Sequence, residues 1–265
     1  MKQQTGQTKR SRIIEYWDGA LLCSPESSTS HADKDVAFLD NAIEHQVLER
    51  HLRAWVGSCG RCLDIGAGYG RFTDLFTRFY ESVVLLEGSP RMYEALCRQW
   101  GSHEQVQCHR TEFEGFKDDK KFDLIFASGV LYLYDEDMLG EFVDKAVAML
   151  EPGGLFVLRD FVAIDKPLVL ESNLVTEGSC YYRTPEFWQG LAAERNLKWL
   201  GLSASKPLLR LLRSRGVLRV LRRLRLKKLL RKSLVINSIR AGGDYRLRGD
   251  GYHTVFMGMQ TTCQL

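Results

Sequence analysis

Short apolar runs alternate with stretches of helical periodicity along most of the chain, which predicts a parallel β-sheet with helices on both faces. The runs that we interpret as strands are Arg61–Ile65, Ser82–Glu87, Gln105–His109, Phe122–Ala127, Leu155–Asp160, Leu197–Leu202 and Tyr252–Gln260. The expected helices are Asp33–Val56, Arg71–Tyr80, Pro90–Trp100, Asp137–Leu150 and Pro185–Glu194, the last with Thr184 as its N-cap. Seven strands joined in this way predict an α/β fold with a mostly parallel sheet.

The same pattern divides the chain into four parts. Residues 1–32 are expected to form a lead-in and a helical lid, residues 33–205 the core, residues 206–245 a basic helical insertion, and residues 246–265 the last strand of the core sheet. The N-terminus is polar and basic without an apolar segment behind it, and no run reaches the roughly 18 apolar residues of a membrane span. We therefore expect a cytoplasmic protein without a secretory signal.

Cysteine usage agrees with that expectation. The chain has seven cysteines, an odd number, and most lie in apolar surroundings, as reduced thiols do. Cys59 and Cys62 have the spacing of a redox pair or of half a zinc site, but no second pair follows to complete a metal site, and Cys62 falls where a buried strand begins. No metal is expected.

The most informative motif follows the first predicted strand and reads Leu63-Asp64-Ile65-Gly66-Ala67-Gly68-Tyr69-Gly70-Arg71. Glycines at the end of a strand allow a sharp turn and bring the backbone close to a ligand. The helix that follows presents free N–H groups and the positive end of its dipole. Because strand, loop and helix follow one another directly, the motif predicts a nucleotide site.

An acidic residue stands where such a site needs one. Glu87 ends the second predicted strand, 21 residues after Gly66. A carboxylate at that position can accept hydrogen bonds from both ribose hydroxyl groups of an adenosine. The alternative is that the glycines only form a tight turn and Glu87 only ends a strand, which would leave their joint occurrence unexplained.

The glycine spacing and two later motifs resemble the class I S-adenosyl-L-methionine (SAM)-dependent methyltransferases. The loop is G-x-G-x-G after Asp64, whereas a dinucleotide fingerprint is G-x-G-x-x-G. Phe122-Asp123-Leu124-Ile125 is similar to the family's motif IV strand, and Leu150-Glu151-Pro152-Gly153-Gly154 to its turn before the fifth strand. The resemblance runs from about Cys59 to Asp160 and implies a Rossmann-like fold with SAM as the cofactor.

The resemblance also implies which residues contact the cofactor. Gly66, Ala67 and Gly68 would pass beneath the methionine part of SAM, while Asp64 would orient this loop and the amino group. The implied contacts with the ribose, the adenine and the methionyl group are Glu87, Gly88, Thr111, Glu112, Phe113, Ser128 and Gly129.

A narrower resemblance is to the α-N-terminal protein methyltransferases and their small-molecule relatives. Tyr16-Trp17 precedes the first long helix, and Arg71 follows the last loop glycine, where an arginine can pair with the SAM carboxylate. Arg159-Asp160 ends the fifth strand, where those enzymes have a basic–acidic pair followed by Asn. This chain has Phe161 instead, which argues against recognition of a protein N-terminus.

Groups that assist the transfer are expected at the carboxyl ends of the strands or on the lid. Asp160 is the carboxylate best placed to act as a base, Tyr132 follows the fourth strand, and His253 lies in the last one. Each also has a structural interpretation: a strand-end cap, a half-buried aromatic and a solvent-facing residue, respectively. Further candidate contacts with the acceptor are His31, Tyr181, Tyr182 and Arg183.

The positive charge of the chain is concentrated in one segment. Residues 206–232 contain twelve Lys or Arg and no Asp or Glu, whereas the remaining chain has 25 basic and 33 acidic residues. Val217, Val220, Leu221 and Leu224 fall on one face of a helix, with charges off that face. Four interpretations stay open: packing on its own domain, an anionic lipid surface, another anionic substrate, and nucleic acid, which the lack of aromatic residues disfavours.

Together these observations predict methyl transfer from SAM to an O or N atom of a small-molecule acceptor, including one linked to a lipid or a glycan. Peripheral membrane association would follow from the lipid interpretation of the basic segment. The alternatives are a protein N-terminal amine or RNA methyltransferase, and a non-enzymatic binding or scaffold protein that retains the fold.

Overall fold

The computed structural model describes residues 14, 15, 18, 34–55, 57, 59–172, 178–204 and 252–262. The helices bounded within these ranges are α1 (Lys34–Trp55), α2 (Thr73–Phe79), α3 (Pro90–Trp100), α4 (Glu136–Met149) and α5 (Pro185–Glu194). The strands are β1 (Arg61–Ile65), β2 (Ser82–Leu86), β3 (Val106–His109), β4 (Phe122–Ser128), β5 (Leu150–Ala163), β6 (Leu168–Ser172), β7 (Gly178–Tyr182), β8 (Leu197–Ala204) and β9 (Tyr252–Thr261). A 3₁₀ turn, Leu131–Leu133, follows β4.

Seven of the strands form one sheet in the order β3-β2-β1-β4-β5-β9-β8. Strands β1 to β5 pair in parallel, and β9 runs antiparallel to both of its neighbours. The predicted α/β fold with a mostly parallel sheet is therefore confirmed. The chain runs outward from β1 to β3 and then returns to place β4 on the other side of β1. The crevice between the carboxyl ends of β1 and β4 is thus a topological switch point, where α/β proteins bind ligands.

Alternate residues of the central strands enter two hydrophobic cores, one on each face of the sheet. Leu63 belongs to the core that α4 and α5 cover, whereas its neighbour Cys62 belongs to the core that α1 and α2 cover. Both residues are fully buried. Burial on both faces explains why these strands read as nearly continuous apolar runs.

The helices begin where the sequence supplies a cap. The Thr184 hydroxyl accepts a hydrogen bond from the Phe187 N–H at the start of α5, so the predicted N-cap is confirmed. Ser89 accepts from the Met92 N–H in the same way, with Pro90 in the first turn of α3. The helix bounds agree with the predicted ones to within two residues.

Two strand predictions differ from the structure. β5 begins at Leu150 and not at Leu155, because the Pro-Gly-Gly segment forms an irregularity inside the strand, where the pairing with β4 shifts register between Phe122 and Leu124. The ribbon of β6 and β7 was not predicted. Val169 and Leu170 in this ribbon are 61% and 42% exposed, so the ribbon lacks the apolar-in, polar-out alternation that reveals a strand.

None of the helices within the described ranges has the length and apolar character needed to cross a bilayer. The predicted basic insertion, residues 206–245, lies outside the described residues, as does the predicted lead-in and lid apart from Ile14, Glu15 and Asp18. The basic insertion and the N-terminal lid are therefore still predictions from the sequence.

Close packing of α1 on the sheet makes one glycine of β9 sensitive to substitution. A Cβ atom added at Gly258 would lie 2.6 Å from the Trp55 ring, so α1 would have to move. We expect Gly258→Ala to lower the free energy of unfolding by about 1–3 kcal/mol in a urea titration. Gly190→Ala in α5 is the matched control: nothing lies within 4 Å of its added Cβ, so it should raise the stability by about 0.5–1 kcal/mol. A Gly258→Ala variant as stable as the wild type would contradict this packing.

Candidate active site

The turn between β1 and α2 needs glycine at three positions. Gly66, Gly68 and Gly70 have φ angles of 69°, 61° and 83°, in the left-handed region where a side chain is strained. At Gly70 an added Cβ would also collide with the Trp100 indole. At Gly68 no atom lies within 4 Å of an added Cβ, and the residue lines an open cavity.

This cavity lies at the carboxyl ends of β1, β2, β4 and β5, in the crevice that the strand order creates. The residues singled out from the sequence that line it are Asp64, Gly66, Ala67, Gly68, Arg71, Glu87, Gly88, Thr111, Glu112, Phe113, Ser128, Gly129 and Tyr132. Residues that were not assigned to the site also line it, namely Ile14, Ile65, Phe72, Leu86, Met92, Glu114, Val130, Leu133, Tyr134, Arg159 and Phe161.

Glu87 ties the glycine loop to the start of α3. Its carboxylate accepts hydrogen bonds from the Gly68 N–H at 2.8 Å and from the Ser89 N–H at 2.7 Å. Burial raises the pKa of Glu87, although these N–H donors act against the shift. An acceptor group held in the cavity wall in this way is suited to bind a pair of hydroxyl groups.

Asp64 lies next to Glu87 at the end of β1 and is 2% exposed. Burial, and then the negative charge of Glu87, raise the pKa of Asp64 to about 8. Without a neighbouring cation this carboxyl group is therefore mostly protonated at neutral pH. A positive charge placed beside it would favour the ionised form, so this end of the cavity suits a cationic group.

Asp160 holds the backbone that follows β4. One carboxylate oxygen accepts from the N–H groups of Leu131 at 2.9 Å and Tyr132 at 3.2 Å, and the other accepts from the Phe161 N–H at 2.7 Å. Burial raises the pKa of Asp160 to about 6, against the lowering effect of these donors. The carboxylate is 1% exposed and does not line the cavity.

Arg183 fixes the same segment through its carbonyl oxygens. Its guanidinium donates to Leu131 O at 3.3 Å and to Tyr134 O at 2.6 Å. It also packs over the rings of Tyr181 and Phe187, at 5.4 and 5.3 Å from their centroids. Burial lowers the pKa of Arg183, and the negative charge of Asp160 opposes this shift. The 3₁₀ turn is therefore pinned on both its N–H and its C=O sides.

Aromatic side chains form one wall of the cavity. Tyr132 and Phe161 both line it, and their rings meet edge to face with centroids 4.9 Å apart. Tyr182, which is buried, supports both rings at 5.8 Å from Phe161 and 6.3 Å from Tyr132. Such a wall is suited to a flat or apolar group.

A buried carboxylate joins three elements beside the cavity. Glu44 of α1 is 0% exposed and accepts from Arg159 Nη2 at 2.8 Å and Arg159 Nε at 3.2 Å. Arg71, in the loop after β1, donates through Nη2 to the same carboxylate and through Nε to Asn41 Oδ1 at 2.5 Å. Both arginines line the cavity.

Some candidate residues do not meet at the cavity or cannot be placed. Tyr181, Tyr182 and Arg183 lie behind the lining, with Asp160. The backbone of His253 pairs with Val162 of β5, but its side chain lies outside the described residues. Tyr16, Trp17 and His31 lie outside them entirely.

Sequence reasoning missed Glu44. The signal is an acidic residue on the apolar face of a predicted helix, beside Ile43 and next to Val47 and Leu48 one turn later. An acid at such a position needs a cationic partner. The partners, Arg71 and Arg159, are far away in sequence, so the sequence alone does not identify them.

Residues 63–158 match the methyltransferase domain family. The chain is similar to two curated relatives, each called alpha N-terminal protein methyltransferase 1, from Oryza sativa subsp. indica and subsp. japonica. Each is 27% identical over 199 residues, which cover 65% of this chain and 60% of the relative. The match thus spans about 60% of the length of these relatives.

Solved structures share the fold. A 1,6-didemethyltoxoflavin-N1-methyltransferase from Burkholderia thailandensis is 16% identical, with a TM-score of 0.61 over 99% of this chain and 93% of its own. A SAM-dependent methyltransferase from Leishmania major is 15% identical, with a TM-score of 0.64 over 95% of this chain and 82% of its own. The N-methyltransferase NodS from Bradyrhizobium japonicum WM9 is 18% identical, with a TM-score of 0.53 over 87% and 93%. With its mostly parallel sheet and its glycine loop, the chain thus has a Rossmann-like fold and carries a match to the methyltransferase domain at residues 63–158.

Proposed function

We propose that the protein transfers the methyl group of SAM to an O or N atom of a small-molecule acceptor. One observation carries the proposal: a single cavity sets a left-handed glycine loop beside two buried carboxyl groups, Asp64 and Glu87. A ligand with sugar hydroxyls and a cationic end fits these groups, and SAM has both.

Each part of SAM would have its own residues. Glu87 would hold the ribose hydroxyls, and Asp64 would pair with the ammonium group. Gly68 and Gly129 would flank the methionyl part, where both have left-handed backbone and no side chain to obstruct it. The adenine would lie against the segment after β3, which contains Thr111, Glu112 and Phe113.

Names of similar structures support this cofactor and class of acceptor. The Burkholderia enzyme was crystallised with 1,6-didemethyltoxoflavin and S-adenosylhomocysteine, and NodS with S-adenosylhomocysteine. Both are N-methyltransferases by name.

When bound, SAM would supply an electrophilic methyl group on a sulfonium, S-adenosylhomocysteine would be the leaving group, and the acceptor N or O would release its proton to water. The chain contributes alignment, which can lower the barrier by several kcal/mol. The glycine loop would fix the donor, and Tyr132 and Phe161 would hold the acceptor opposite it. The Tyr132 hydroxyl is the polar group of this wall that could contact the acceptor proton.

Asp160 would act through other residues. Its carboxylate does not line the cavity, unlike that of Glu87, and its two oxygens accept from three backbone N–H groups, so it is poorly placed to receive a proton from an acceptor. We assign it to positioning Tyr132. His253 stays a candidate base on sequence grounds alone.

A protein N-terminal amine is the second candidate acceptor, because the curated relatives carry that name. Phe161 disfavours it, since an aromatic ring replaces the Asn that can hydrogen-bond a peptide.

Residues 206–232 would bind a lipid-linked acceptor or an anionic membrane surface. This proposal rests on the positive charge and the leucine pattern of the segment.

Loss of the open space at Gly68 should abolish cofactor binding. In Gly68→Val the side chain would project into the cavity from a backbone with a φ of 61°. We expect no measurable heat with S-adenosylhomocysteine in titration calorimetry. The strain costs roughly 1–2 kcal/mol, so the fold should persist. Gly190→Ala should bind like the wild type, and wild-type affinity in Gly68→Val would refute the placement of the loop.

Cofactor affinity should depend on pH through Asp64. The ammonium group of S-adenosylhomocysteine lowers the pKa of Asp64 from its value of about 8, so binding releases a proton and affinity rises from about pH 6 to about pH 7.5. Calorimetry in buffers of different ionisation enthalpy measures that proton. Asp64→Asn mimics the protonated group, so it should fold normally and lose this pH dependence. The same slope in the Asn variant would exclude Asp64 as its source.

The acceptor class can be tested with a labelled methyl group. The protein is incubated with methyl-labelled SAM and separate small-molecule, protein and RNA fractions of a cell extract, with Gly68→Val as the inactive control. We expect label in the small-molecule fraction only. Label confined to protein or RNA would overturn the proposed acceptor, and no label in any fraction would favour a non-enzymatic role.

A further inference from the structure

The charges around Glu44 do not balance. Two guanidinium groups, Arg71 at 8% and Arg159 at 5% exposure, share this one buried carboxylate. Among the described residues no other carboxylate is hydrogen-bonded to either arginine; the further partner of the Arg71 side chain is the neutral amide of Asn41. Buried charge is costly unless it is paired. The Asp160 carboxylate also attracts Arg159 electrostatically, but its oxygens accept hydrogen bonds from backbone N–H groups and not from a guanidinium. Counted by hydrogen bonds within the described residues, the two guanidinium groups therefore share one carboxylate, and an anionic ligand would supply a second.

The geometry directs the guanidinium charge into the cavity. Glu44 occupies the Nε and Nη2 edge of Arg159, and together with Asn41 it occupies the same edge of Arg71. In the part of the chain that the structure describes, this leaves the Nη1 group of each arginine without a hydrogen-bond partner. Both side chains line the cavity. Two N–H donors on a shared anchor match the two oxygens of a carboxylate.

We propose that Arg159 is a cofactor-binding residue that, together with Arg71, holds the methionyl carboxylate of SAM. This assignment rests on the proposed function. It extends the site to β5, since the sequence indicated only Arg71 for this role. Glu44 holds both guanidinium groups from behind, so helix α1 takes part in the site although none of its described side chains lines the cavity.

Position favours the cofactor over an anionic acceptor as the source of the carboxylate. Arg159 pairs in register with Ser128, the last residue of β4. Its Nη1 lies 3.8 Å from the place of a Cβ at Gly129, on the methionyl side of the cavity. The aromatic wall assigned to the acceptor begins at Phe161, two residues along the same strand and roughly 6.6 Å away.

A cofactor analogue that lacks the carboxylate tests the assignment. The dissociation constants of SAM and of decarboxylated SAM, which keeps the amine and the sulfonium, are measured by calorimetry for the wild type and for Arg159→Met. Methionine retains the apolar length of the side chain, and Glu44 keeps its bond to Arg71. We expect SAM affinity to fall about 10- to 100-fold, as for a lost charged hydrogen bond, and the affinity for decarboxylated SAM to stay within about twofold. Arg159→Lys keeps the charge without the planar fork, so its affinity for SAM should lie between those of the wild type and of Arg159→Met.

Arg61→Met is the matched control. Arg61 makes a similar paired contact, with Asp118 at 2.8 and 3.3 Å, and lies over the Phe122 ring, but it stands at the amino end of β1, away from the cavity. The Arg61→Met variant should be less stable than the wild type, but the ratio of its affinities for SAM and for decarboxylated SAM should be unchanged. An unchanged ratio in Arg159→Met, with either both affinities retained or both reduced equally, would overturn the assignment. If the wild type bound neither compound, the proposed function itself would fail, and the assignment with it.

Discussion

The left-handed backbone of the glycine loop is the constraint on which the site depends. Three positive φ angles within five residues let the chain leave β1, pass along the cavity and enter α2. Only residues without a Cβ adopt such a path readily. The turn brings the Gly68 N–H to the Glu87 carboxylate, which joins the ends of β1 and β2. It also leaves the space next to Gly70 that the Trp100 ring occupies, so α3 packs against the same turn.

The charged groups around this loop are arranged as two poles. Asp64 and Glu87 place acid at one side of the cavity, and Arg71 and Arg159 place base at another, backed by Glu44. In a poorly hydrated cavity such groups act strongly on a ligand and on one another. In the function that we propose, a zwitterionic amino-acid end attached to a sugar would meet both poles at once.

The wall that we propose for the acceptor is built by different means. Asp160 and Arg183 are buried and spend their hydrogen bonds on the backbone of the 3₁₀ turn. Their effect is to present Tyr132 beside Phe161, in a rigid aromatic wall. In our proposal the choice of acceptor would depend on this wall and not on the cofactor groups, because a fold does not dictate the substrate.

Local patterns in the sequence determined much of this protein. The helices, most strand bounds, the Thr184 cap and the order of loop and acid follow from apolar periodicity and from the special backbone of glycine, which are properties of neighbouring residues. The irregular start of β5 was decided by its pairing with β4 across an intervening helix. The ribbon of β6 and β7 is local in the chain, but it carries no apolar alternation by which the sequence would reveal it. Asp160 illustrates the same limit at the site: the sequence allows it to be a base or a strand-end cap, and only the structure shows that three backbone N–H groups from two segments surround it. Glu44 stands out in the sequence only as an acid on the apolar face of a helix, and its two arginines lie 27 and 115 positions away. Burial and long-range pairing set the charge and the accessibility of a side chain, and only the tertiary structure brings those partners together.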